Sequence, residues 1–149
     1  MENLNEKVVQ ELNDLIVSSK SGKEAYDTAI QNVKNPDIKS LFTDLGKQHQ
    51  QYATELENQL RTLGGKPVST TEGRYQTTAW ATAKTAATAG NERDLLDKFE
   101  RGESEIEQKY DQVLKEEALP QNVKEVVRKQ HESQRKVHNQ IREMRTAAK

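Results

Sequence analysis

The 149-residue sequence predicts an all-α protein: a four-helix bundle of two antiparallel helical hairpins, joined by a long crossover that contains a short helix of its own. Three observations predict it. Apolar residues recur at steps of three and four over four long segments, the spacing of an amphipathic helix. The helix breakers Asn35-Pro36-Asp37, Gly64-Gly65 and Pro120 fall between those segments. And 26 residues, Gly65 to Gly90, separate the second segment from the third, a stretch too long to be a structureless loop inside one domain.

Each element follows from its local pattern. The first helix runs from about Asn3 to Asn32 on Leu4, Val8, Leu12, Leu15, Ser19, Gly22, Tyr26, Ala29 and Val33. Asn35 suits an N-cap and Pro36 the first helical position, so the second helix begins at once and must run antiparallel to the first. It carries Ile38, Leu41, Phe42, Leu45, Gln48, His49, Tyr52, Leu56 and Leu63, and Gly64-Gly65 ends it. In the crossover, Ala79, Trp80, Ala83 and Ala87 share one helical face, which reads as a short helix packed closely on the bundle and anchored by Trp80. Asn91 caps the next helix, on Leu95, Leu96, Phe99, Glu103, Ile106, Tyr110, Val113 and Leu114; Pro120 resets the chain, and the last helix carries Val123, Val127, Gln130, Gln134, Val137, Ile141 and Met144. A long connection between two hairpins is the crossover topology of ferritin-like bundles. The length is that of a single domain spanning 1–149.

Composition narrows the function classes. Apolar and charged residues each make up 32% of the chain, and strict periodicity assigns the charges to the outer faces of long helices. A net charge of -1 gives no reason to expect nucleic acid or an anionic membrane. No apolar run approaches the roughly 20 residues that span a bilayer, and the first residues lack the layout of a secretory signal. The absence of cysteine removes disulfides and thiolate chemistry and fits a cytoplasmic protein.

The informative feature is a belt of polar residues at mid-height. The apolar series Leu96, Phe99, Ile106, Tyr110, Val113 lacks one member, and the position that would fill it is Glu103. The other helices bring Ser19, Gly22 and Lys23; Gln48, His49, Tyr52 and Glu55; and Gln130 and Gln134, flanked by His131 and His138. An unpaired buried carboxylate costs several kcal/mol, which leaves three readings. Glu103 belongs to a self-satisfied network, with Lys23 as its ion-pair partner and Gln48, Gln130, Gln134 and Tyr52 completing the hydrogen bonds. Or it belongs to a metal or catalytic centre. Or it is partly exposed.

A dimetal carboxylate bundle takes a glutamate from each of two helices and Glu-x-x-His from the other two. Three residues before His49, His131 and His138 stand Gly46, Arg128 and Arg135, so the clamp is missing. Glu55, Glu103, His49 and His131 remain the candidates for an irregular site holding iron or another divalent metal. No phosphate-cradling glycine loop or nucleophile elbow occurs.

Over nearly its whole length the chain resembles an uncharacterised bacterial ferritin-like family, a domain of unknown function distantly related to rubrerythrin-type and stress-associated bundle proteins. The resemblance is carried by Leu12-Asn-Asp-Leu15, Ser21-Gly-Lys-Glu-Ala-Tyr26, Gln48 through Glu55-Leu56, Leu63-Gly-Gly65, Trp80 with Lys84, Glu100-Arg-Gly-Glu103, Gln130 and His138. It implies the ferritin-like fold with its crossover helix and no established activity. Lys23 stands where the family often has an acid, and His49 where arginine is common. The expected role is a non-enzymatic, stress-associated structural or interaction protein with a degenerate metal site and no cofactor. A di-iron redox protein and a helical adaptor are the alternatives, the adaptor using an exposed patch around Tyr75 and Trp80. A homodimer and an unidentified protein partner are the associations considered.

Overall fold

The computed structural model describes residues 2–66, 78–88 and 91–148, with side chains from residue 6 onward in the first helix. It contains α1 (Glu2–Asn32), α2 (Pro36–Thr62), α3 (Thr78–Ala86), α4 (Glu92–Leu114) and α5 (Gln121–Ala147). The sequence signals act at the expected ends. Asn35 Oδ1 accepts from the backbone N–H of Asp37 at 2.9 Å and of Ile38 at 3.3 Å, with Pro36 just inside α2. At the other end Gly64 takes φ +79°, and the N–H groups of Gly64 and Gly65 reach back to the carbonyls of Arg61 and Leu60, a Schellman arrangement that closes the helix. Asn91 Oδ1 accepts from Asp94 N at 2.9 Å and starts α4.

The two hairpins, α1 with α2 and α4 with α5, hold the most extensive packing, and α3 lies across α1 and α4. Leu12, Leu15, Tyr26, Phe42, Leu56, Phe99, Ile106 and Ile141 are fully buried between the helices. α3 is positioned by Trp80, which is 1% exposed and enters the bundle where both flanking helices have glycine. A Cβ at Gly102 would fall 2.5 Å from the indole, and one at Gly22 3.0 Å from it. The indole N–H donates to Ser18 Oγ at 3.2 Å, so its one polar group is satisfied as a buried tryptophan requires.

This placement corrects the expected adaptor patch, since Trp80 is core and offers nothing to a partner; Tyr75 lies outside the described residues. It also re-reads Gly22, which together with Gly102 forms the seat of α3 rather than part of the polar belt. Lys109 departs from the assignment of charges to the outer faces: it is buried and pairs with Asp14 across α1 and α4 at 3.0 Å. No helix among the described residues is long and apolar enough to cross a membrane.

Candidate functional site

The belt is built by one buried turn from each long helix. Glu103 sits on the inner face of α4, in register with Phe99 and Ile106, and is 0% exposed. Three helices answer it. Tyr26 of α1 donates its hydroxyl to Glu103 Oε2, and His49 of α2 places Nε2 2.9 Å from the same oxygen. Gln134 of α5 donates to the Glu103 backbone carbonyl at 2.7 Å and to Oε1 at 3.1 Å. Because a carboxylate only accepts, His49 Nε2 carries the hydrogen of that contact. The imidazole is held between aromatic rings: stacked on Tyr26 at 5.8 Å, with Tyr52 and Trp80 edge-on at 5.7 and 5.5 Å. Its Nδ1 is buried without a hydrogen bond among the described residues.

A second set lies beside the first. Tyr110 donates to Gln130 Oε1 at 2.9 Å, and Gln130 Nε2 donates to the Tyr52 carbonyl at 3.2 Å and to Glu55 Oε1 at 2.9 Å. Thus Glu103 and Glu55 each have their own donors.

Electrostatics follow from this wiring. Burial alone pushes the Glu103 carboxyl up; the charge of His49 when protonated, with the hydrogen bonds from His49, Tyr26 and Gln134, outweighs burial and holds it below the usual carboxylate range. The Tyr26 phenol is pushed well up by burial, by the Glu103 charge and by its bond to that carboxylate. Burial also raises Tyr52, whose hydroxyl faces Ser133 and Gln48 at the edge of the belt.

The structure brings His49, Tyr52, Glu55, Glu103, Gln130 and Gln134 together. It does not bring Lys23. That side chain, 35% exposed, pairs with Asp27 one turn along α1, so the anticipated Lys23–Glu103 ion pair is replaced by His49–Glu103. A flexible lysine keeps its ammonium hydrated beside a surface acid rather than burying it. His131 is also outside the belt: its Nε2 stands 3.3 Å from Asp111 and its ring stacks on Tyr110 at 5.6 Å. Tyr26 and Tyr110 were read only as seam residues. The available signal was chemical, since a tyrosine in a dry seam needs a partner for its hydroxyl. His138 was read as a flank; it is 4% exposed and lies between Glu107 (Nδ1, 3.2 Å) and Glu100 (Nε2, 3.4 Å).

The donor set does not fit a dimetal centre. The Glu103 oxygens are engaged by three donors, the His49 nitrogen facing Glu103 bears a hydrogen rather than a lone pair, and two of the belt positions are neutral amides. Among the described residues no group of three or more His, Asp or Glu is placed to hold a metal ion.

This architecture is a ferritin-like helical bundle. The chain belongs to the family described as a domain of unknown function (DUF2383), whose model matches residues 7–116. That match ends before α5, so Gln130 and Gln134 lie beyond it. Among solved structures, the chain is similar to a DPS protein from Vibrio cholerae O1, described as a member of a broad superfamily of ferritin-like diiron-carboxylate proteins. The TM-score is 0.76 at 12% identity, over 95% of this chain and 91% of that one, a likeness that shows the fold. No curated protein matches the sequence.

Proposed function

We propose that this chain is a non-enzymatic, stress-associated structural or interaction protein of the bacterial cytoplasm, built on a ferritin-like bundle whose metal site is degenerate. The observation that carries the reading is the saturation of Glu103: one buried carboxylate, three hydrogen-bond donors from three helices, and an imidazole in place of a cation. Such a set fixes the register of four helices, because sliding any one of them strands a buried polar group. It offers no open coordination position and no nucleophile paired with a base.

The alternative is an iron-binding protein, and the superfamily named for the Vibrio cholerae DPS protein favours it. Iron here would draw on Glu103, Glu55 and His49, with His131 turned in from Asp111, and each would first have to give up its present partner. The test is metal stoichiometry by mass spectrometry after anaerobic Fe(II) loading and desalting. Our reading expects no stoichiometric metal. Retention of about two irons per chain, the content of a dimetal bundle, would overturn it and make Glu103 a ligand.

A further inference from the structure

The two open seams of the bundle are treated differently. α3 covers the α1–α4 seam and fills it with Trp80. Among the described residues the α2–α5 seam has no such cover, and two adjoining clefts run along it, sharing Gln48, Gln51 and Ser133. The two helices are antiparallel: Asn122 near the start of α5 bonds Gln59 near the end of α2, and Gln130 reaches Tyr52 and Glu55. From Leu41 to Gln59 the groove is about 27 Å long at 1.5 Å per residue.

Charge on the two walls is segregated. The α2 wall carries Asp44, Lys47 and Glu55, one net negative charge, and the α5 wall carries Lys129 and Lys136. Each cleft therefore has an acid on α2 opposite a base on α5: Glu55 with Lys129 in one, Asp44 with Lys136 in the other. Asp44, Lys129 and Lys136 form no ion pair among the described residues. The other seams are bridged, as by Lys20–Glu57 and Arg142–Glu100.

We propose that this groove is occupied by a second copy of the chain, related by a two-fold axis running along the groove. That operation lays each α2 wall on the partner's α5 wall at matching height. Asp44 then meets Lys136 of the other copy, and Glu55 meets its Lys129, each twice. Self-complementarity of this kind is what an isologous interface demands. A face about 27 Å long and two helices, roughly 20 Å, wide removes on the order of 1,100 Å² in total. That lies at the low end of specific interfaces, so the dimer is reversible. The inference rests on the interaction-protein reading and names its partner.

Sedimentation equilibrium of the full chain in chelator-treated buffer, from low micromolar to millimolar concentration, tests it. A concentration-dependent dimer is expected. Lys136→Glu and Asp44→Lys, both exposed changes, should each weaken it roughly tenfold, because each reverses two pairs. The double variant, with the charges exchanged, should restore it. A chain that stays monomeric throughout, or a dimer indifferent to these reversals, overturns the assignment. Metal content is read separately, on the Fe(II)-loaded and desalted protein: two irons per chain would count against the functional reading, loss of the dimer against the groove.

Discussion

Gly102→Ala probes the seat of the crossover helix with a single methyl group. The added Cβ would lie 2.5 Å from Trp80 Cε3, 2.6 Å from Cζ3 and 2.9 Å from Cδ2, whereas non-bonded carbons settle at about 3.5–4.0 Å. The ring has little room to retreat, because its nitrogen is tied to Ser18 and its far edge faces Gly22. Overpacking a core costs about 1–3 kcal/mol, and a pinned indole puts this case near the upper end. Replacing a helical glycine by alanine returns about 0.8–1.0 kcal/mol of propensity. The net expectation is a loss of about 2 kcal/mol. Two other glycines supply controls in the same protein. At Gly46 the nearest atom to a Cβ is Tyr26 Cβ at 3.4 Å, an ordinary contact, so Gly46→Ala should stabilise by up to about 1 kcal/mol. At Gly22 the indole stands at 3.0 Å, and cost and gain should roughly cancel. Urea unfolding followed by helical circular dichroism and by the fluorescence of Trp80, the chain's one tryptophan, measures all three. If Gly102→Ala proved as stable as Gly46→Ala, the argument that paired glycines admit Trp80 would be refuted.

The remaining predictions concern the belt. His49→Phe keeps a flat ring but removes the N–H that Glu103 accepts from, and should cost about 1–3 kcal/mol, as for a buried acceptor deprived of one donor. Lys23→Met, which removes only an exposed pair with Asp27, should cost about 0.5 kcal/mol or less; denaturant midpoints that reversed this order would restore lysine as the partner of Glu103. The pH dependence has two limbs. Glu103 is lowered in the folded state, so its contribution is present above the unfolded value of about 4.3 and is lost as pH falls through the folded value. Tyr26 is raised, so its contribution is present below about pH 10 and is lost as pH rises through the folded value. Thermal melts from pH 3 to 11 should therefore fall off at both ends, and Glu103→Gln should flatten the acid limb; an unaltered limb would place the acid sensitivity elsewhere.

Much of the candidate site was legible because a buried carboxylate announces itself. Glu103 interrupts a strict apolar series, and Gln130 and Gln134 do the same on α5 at the same height. Lys23 was misread because helical spacing assigns a residue to a sector of the helix only within about one position, and a long side chain at the sector's edge chooses between core and water. Solvation decided that choice, and Asp27 one turn away supplied the alternative. Tyr26 went the other way: its ring fits the seam so well that spacing gives no sign of its hydroxyl's bond to Glu103.

By itself the sequence determined the five helices, the pairing into two hairpins, and a carboxylate at a seam position of α4. These rest on local chemistry: periodicity, Asn and Pro at helix starts, Gly-Gly at a helix end. Only the tertiary structure decided which imidazole faces Glu103, that Gly22 and Gly102 open a seat for Trp80, and that α3 covers the α1–α4 seam. Those outcomes depend on how far each helix is rotated and slid against its neighbours. Heptad-like spacing leaves that freedom open, and the packing of one indole between two glycines and three belt side chains around one carboxylate removes it.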